Sequence, residues 1–251
     1  MTLRCGAREV EAVLFDLDDV LVPFHTTTMW QWAWHPQGPL LGERRVHAAV
    51  RRSLKAWDRR RWQGLTGKLA PADVAALRQH LADTLAAVAG HSLPAEESEA
   101  VVRRMLHPAG QVERYADVPG LLDRLRAGAI RVGVVTPLPL ESAKWLLHRG
   151  GFPESMLLAT GDPPGPSVPD RAAFRAAAEK LGTSPARTAF VGDLFWSDVR
   201  AAARADLAAL LLDRYEAWPK VQAGRLTSLD AFEATLAAGD APSESADTGD
   251  P

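Results

Sequence analysis

The chain has 251 residues, 24% charged and 47% hydrophobic, with a formal net charge of -2. That length suits one large α/β domain or a core domain with a smaller companion, and the charge balance argues against a nucleic-acid or membrane-surface binder. A single cysteine, Cys5, excludes an internal disulfide framework.

No apolar run approaches the ~20 residues that span a bilayer. The first six residues carry neither the apolar stretch nor the cleavage pattern of a signal peptide, so a cytoplasmic protein is expected. In chain order, the first element is a buried strand over Val10–Phe15, which ends abruptly in Asp16-Leu17-Asp18-Asp19. Further strands are predicted over Ile130–Val135, Ser155–Ala159, Thr188–Val191 and Leu207–Leu212. Helical patterns over Leu121–Ala127, Leu140–His148, Arg171–Leu181 and Asp198–Ala205 separate them. This alternation predicts an α/β fold, a three-layer Rossmann-like parallel sheet with right-handed crossovers. Ligands bind such sheets at the carboxyl ends of the strands, where the polar residues fall here.

One interval breaks the alternation. From 23 to 112 the pattern is helical: Val46, Val50, Leu54 and Trp57 form an amphipathic stripe, Asp73–Val88 is rich in Ala and Leu, and Pro94 opens a helix reaching Leu106. So long an insert should be a subdomain of its own. The expected organisation is a core from 1–22 and 113–238, a helical cap over 23–112, and a disordered acidic tail over 239–251.

The strongest chemical signal is Asp16 and Asp18, two apart, directly after a buried strand. Charges buried there cost free energy unless a metal or hydrogen-bonding ligand compensates. A solvated turn with an Asp helix cap accounts for one such acid, but poorly for three in four residues. Phe190-Val191-Gly192-Asp193 is a second strand running into an acid, and Asp198 follows at a helix start, where it or Ser197 also suits an N-cap. If the two strands are neighbours, Asp16 and Asp193 converge. Oxygen-only ligands of this kind suit Mg²⁺. Thr136 places a hydroxyl at the end of a third strand.

These residues resemble the haloacid dehalogenase-like hydrolases. Asp16, Asp18 and Val20 match the family's Asp-x-Asp-x-(Thr/Val) turn, Thr136 its strand-ending Thr or Ser, and Gly192, Asp193 and Asp198 its Gly-Asp-x-x-x-x-Asp motif. The insert matches the family's cap by position. The resemblance implies a phosphatase: Asp16 as nucleophile forming an aspartyl-phosphate, Asp18 as general acid and base, and Mg²⁺ held by Asp16, the Asp18 carbonyl and Asp193. It also implies Asp198 orienting the metal's water shell and Thr136 bonding a phosphoryl oxygen. The second aspartate separates this pattern from the family's dehalogenases.

The family's third motif, Lys-Pro-Asp-Pro-x-x-Phe, meets Val168-Pro169-Asp170-Arg171-Ala172-Ala173-Phe174, with Val168 at the lysine position. Losing one preorganised donor on a transferring group costs on the order of 10²–10³ in rate. Arg171 and Lys144 are the candidate replacements. The turn Pro137-Leu138-Pro139 likewise stands where the family has a small polar donor.

Five of the eight tryptophans, Trp30, Trp32, Trp34, Trp57 and Trp62, lie in the insert, and nine Lys or Arg face only Glu43 and Asp58 between 43 and 68. They build either a small core with a solvated face or, in part, a lid over an anionic, partly flat organic phosphate. His25 falls where caps hinge on cores. The expected function is Mg²⁺-dependent hydrolysis of a small phosphate monoester, with no nucleic-acid or membrane partner. The alternative is a weakly active or inactive member that binds a phosphorylated ligand or an anionic partner. Neither substrate identity nor oligomeric state is readable.

Overall fold

A computed structural model describes residues 3–5, 7–23, 112–161 and 170–238, with isolated positions between 55 and 100. Most of the expected cap therefore lies outside the described residues, with its tryptophans and His25. So do Val168 and the tail 239–251.

A short antiparallel hairpin opens the chain, β1 (Leu3–Cys5) paired with β2 (Arg8–Val10). The strand expected over Val10–Phe15 thus divides at Glu11, whose N–H donates to the Arg187 carbonyl. The fully buried β3 (Ala12–Phe15) then begins the main sheet. After the insert come α1 (Val118–Ala127), β4 (Arg131–Val135), α2 (Leu140–Arg149) and β5 (Leu157–Ala159). Next are α3 (Arg171–Lys180), β6 (Thr188–Gly192), a π-helical turn over Phe195–Val199 and α4 (Arg200–Arg204). The described residues end with β7 (Ala208–Leu212), β8 (Arg225–Leu226) and α5 (Phe232–Ala238). Neither β8 nor α5 carries an apolar run long enough to predict.

The six strands order as β5-β4-β3-β6-β7-β8, and every pairing is parallel. The expected α/β parallel sheet is what the chain forms. Side chains on a strand alternate between faces, and the core divides accordingly. Val13 and Phe15 pack with Val134 and Val191 beneath Leu121, Leu125, Leu146 and Phe232. Leu14 points the other way, into Phe174, Phe190, Phe195 and Ala202. Helices α1, α2 and α5 thus cover one face, and α3 and α4 the other.

Topology sets where a ligand can bind. From β3 the chain winds outward through β4 to β5, then returns to β6 on the opposite side of β3 and winds out to β8. Crossovers diverge at β3 and β6, which opens a crevice at their carboxyl ends.

Candidate metal and phosphate site

Asp16 and Asp193 meet at that crevice. Phe15 is in register with Val191, and the Asp16 N–H donates to the Val191 carbonyl at 2.9 Å, so Asp16 leaves β3 beside the end of β6, where Gly192 is followed by Asp193. Carboxylate oxygens of Asp16, Asp193 and Asp198 all lie within 4.8 Å of one another. Asp16 and Asp198 are 4% and 1% exposed. This burial excludes a solvated turn.

Asp198 reaches the group through an irregular helix start. The turn Phe195–Val199 is π-helical and has no side-chain cap from its own N-terminus, nor does α4 from Val199. The expectation that Asp198 or Ser197 caps this helix is therefore corrected: Asp198 sits inside the turn, and Ser197 Oγ donates to Asp198 Oδ1 at 3.3 Å. Gly192 makes this approach possible. A Cβ at residue 192 would stand 2.8 Å from Asp198 Cβ and 2.7 Å from the Phe190 ring.

Three carboxylates this close repel one another. Burial, reinforced by the charges of Asp198 and Asp16, holds the Asp193 carboxyl well above the usual carboxylate range. A divalent cation would reverse that, and oxygen-only donors suit Mg²⁺. The residues present fit a hard cation.

Asp18 is buried, but its carboxylate is not in this group; residue 18 forms a parallel bridge with Val22 in a tight turn. Asp19 has a φ of 55°, and its N–H donates to the Val22 carbonyl. This left-handed residue reverses the chain after the motif. Its carboxylate accepts from the Tyr115 hydroxyl at 3.2 Å, while the Tyr115 N–H donates to the Leu21 carbonyl at 3.1 Å. The segment returning from the insert is thereby pinned to the motif turn, a role for Asp19 that no sequence spacing signals.

Thr136 is fully buried at the end of β4, beside β3. Its Oγ1 accepts from the Leu138 N–H at 3.5 Å, and the Leu138 carbonyl accepts from Gly161 at 3.0 Å. A Cβ at residue 161 would stand 2.1 Å from the Pro137 carbonyl oxygen, so glycine permits the two turns to touch.

The two candidate cations lie elsewhere. Arg171 pairs with Asp206 at 3.8 Å, and Lys144 with Glu154 at 3.7 Å. Asp206 and Glu154 precede β7 and β5, at the amino edge of the sheet, opposite the acidic group. Asp170 caps α3 by accepting from the Ala172 N–H at 2.9 Å.

Another strand-ending acid shows what a structural aspartate looks like here. Asp213 follows β7 and accepts from Ala217 N–H, Trp218 N–H and Arg225 Nε at 2.6, 2.9 and 2.8 Å. Its charge is balanced by these donors, and it stands outside the acidic group.

Asp58, in the insert, is by sequence one of two acids in a basic stretch. It is fully buried, with its carboxylate accepting from the Trp196 N–H at 2.7 Å and the Ser197 N–H at 2.6 Å. Burial, with Asp198 nearby and against the lowering effect of those donors, pushes its carboxyl up to about 7. An acid capping a helix from a distant segment has no sequence signature.

A parallel α/β sheet with an acidic triad at its switch point defines the class of doubly wound α/β proteins whose sites lie at the strands' carboxyl ends. Within that class, the chain matches the haloacid dehalogenase-like hydrolase family over residues 10–206, and it belongs to that family. It is 32% identical over 115 residues to an N-acetylmuramic acid 6-phosphate phosphatase of Pseudomonas aeruginosa, covering 43% of this chain and 51% of that protein. The match thus spans about half of the relative's length. Among solved structures, an L-2-haloacid dehalogenase of Xanthobacter autotrophicus superposes with a TM-score of 0.63 at 16% identity, covering 91% of this chain and 99% of that one. A HAD-type hydrolase of Bacillus subtilis, solved bound to magnesium, gives 0.59 at 18% identity over 90% and 98%. These two likenesses establish the fold alone. No helix among the described residues is long and apolar enough to cross a membrane.

Proposed function

We propose that the protein is a Mg²⁺-dependent phosphatase acting on a small organic phosphate monoester, with Asp16 as nucleophile. The observation that carries this reading is the meeting of Asp16, Asp193 and Asp198 within 4.8 Å at the carboxyl edge of the sheet. Mg²⁺ bound there, by Asp16, Asp193 and the Asp18 carbonyl with Asp198 orienting its waters, would screen the repulsion between an anionic nucleophile and an anionic phosphate.

A carboxylate oxygen of Asp16 attacks phosphorus, and the bond to the ester oxygen breaks. Asp18 gives its proton to the departing oxygen. Asp18 then takes a proton from water as that water attacks phosphorus, which frees Asp16 and releases inorganic phosphate. The buried hydroxyl of Thr136, already accepting from Leu138, donates a hydrogen bond to a phosphoryl oxygen. The presence of Asp18 favours ester hydrolysis over dehalogenation, which needs no leaving-group acid.

The substrate class draws support from the muramic acid phosphate phosphatase, although the match covers half of that protein. N-acetylmuramic acid 6-phosphate therefore belongs in the test panel. The expected result is Mg²⁺-dependent phosphate release from p-nitrophenyl phosphate, abolished in Asp16→Asn. Failure of wild-type protein on that ester and on a panel of metabolite phosphates would overturn the reading.

A second reading, a phosphate-ligand or partner-binding module with little turnover, is favoured by Val168 at the lysine position and by the ion pairs that hold Lys144 and Arg171. The lysine-restoring variant described below separates the two.

A further inference from the structure

The helical segment that carries Lys55, Ala56, Asp58 and Arg59 touches the core through Lys55 and Asp58. Lys55 Nζ stands 5.3 Å above the Trp218 ring. Three residues on, and so on the same helix face, Asp58 accepts from the Trp196 and Ser197 N–H groups. Phe195 joins the two contacts, with its ring 5.2 Å from Trp196 and 5.8 Å from Trp218.

The amides that Asp58 holds open the π-helical turn that contains Asp198. Helix-opening N–H groups need acceptors, and neither Leu194 nor Val199 offers a side-chain cap. The missing cap is supplied by the insert, through a carboxylate with no solvent exposure. Without Asp58 the buried Ser197 N–H and the part-buried Trp196 N–H would lose this acceptor, and the turn would relax toward water or toward an ordinary α-helical register. Either change rotates Asp198, whose position is further tied through Ser197 Oγ.

We propose that Asp58 is a positioning residue: by holding the Trp196 and Ser197 amides it aims Asp198 at the Asp16–Asp193 pocket, so that docking of the insert and cation binding in the pocket are coupled. This rests on the reading of that pocket as a Mg²⁺ site. Coupling of two equilibria is reciprocal. Asp58 strengthens cation binding, and the cation in turn holds the insert against the core.

The test uses the full chain, with Mg²⁺ binding to metal-free protein measured by calorimetry and tryptic cleavage followed within the Lys- and Arg-rich stretch 43–68. In wild-type protein Mg²⁺ binds and slows cleavage. In Asp58→Asn, which keeps the shape but turns an amide N–H toward one of the two donors, Mg²⁺ affinity falls at least tenfold and the protection disappears. Lys55→Met, which spares the carboxylate, shifts both readouts in the same direction by a smaller factor. Circular dichroism confirms the fold of each variant, and Asp58→Ser replaces Asp58→Asn if the latter does not fold. Wild-type Mg²⁺ affinity and protection in a folded Asp58 variant would overturn the inference while leaving the phosphatase reading intact. Absence of Mg²⁺ binding in wild-type protein would overturn the reading of the pocket, and the inference with it.

Discussion

Gly192 and Asp198 are so close that a single added carbon on the glycine would stand 2.8 Å from the aspartate's Cβ. Strand β6 can therefore deliver two acids to one pocket, one at its end and one from the turn that folds back over it. Gly192→Ala forces the turn outward. Overpacking of this kind costs about 1–3 kcal/mol, and the displaced Asp198 is expected to lower kcat/KM on p-nitrophenyl phosphate by on the order of tenfold or more, in proportion to the positional precision such sites need. Thermal unfolding and steady-state kinetics check the two effects separately.

Metal removal should be visible in stability. Asp16, Asp193 and Asp198 repel one another when no cation lies between them. Added Mg²⁺ is expected to raise the melting temperature, by the equivalent of about 2.7 kcal/mol at a hundredfold excess over Kd, and EDTA should reverse it. Asp193→Asn relieves the repulsion, so the metal-free variant should melt above metal-free wild type and respond little to Mg²⁺. A melting temperature for the variant below wild type, with the Mg²⁺ response retained, would contradict this account.

A second acid governs stability at low pH. Asp117 accepts from both terminal nitrogens of Arg214 at 2.8 and 2.9 Å, from the Leu229 N–H at 2.9 Å and from Ser228 Oγ at 3.0 Å. Burial alone would raise its carboxyl, but the Arg214 and Leu229 hydrogen bonds outweigh it and hold the group below its ordinary 3.8. The unfolded chain therefore takes up the proton first as pH falls. The stabilisation is fully present above about 3.9, the unfolded value, and is lost as pH falls through the lowered folded value. Asp117→Asn should destabilise the protein by about 3 kcal/mol at neutral pH. In urea unfolding the gap from wild type should stay constant down to about pH 5 and close below the unfolded value.

Lysine restored at position 168 tests the missing cation. Lys144 and Arg171 are paired with Glu154 and Asp206 through exposed contacts of 3.7 and 3.8 Å, and Val168 stands where the family places its lysine. Val168→Lys is expected to raise kcat/KM at least tenfold, and by no more than the factor of roughly 10²–10³ that one such donor supplies. Activity arising from none would identify the natural protein as a binder; no change would mean that another cation already serves the phosphate.

Much of this protein was legible from its order of residues because burial and turn chemistry are local. Apolar runs ending in Asp16, Thr136 and Gly192-Asp193 announced strands of a parallel sheet and the edge where chemistry gathers, since a run of four to six apolar residues can be buried on both faces only in such a sheet. Pairing was not local. That β3 lies between β4 and β6, bringing Asp16 beside Asp193, follows from packing of the whole sheet. Spacing offered Lys144 and Arg171 as cations but not their neighbours, and the fold sets each beside an exposed acid, Glu154 and Asp206. The contacts of Asp19 and Asp58 have no signature in spacing, and only folding placed one against Tyr115 and the other on the Trp196 and Ser197 amides. Residue type and spacing determined which groups could do chemistry; contacts between segments distant along the chain decided which of them meet, because distance in sequence sets no distance in space until the core closes.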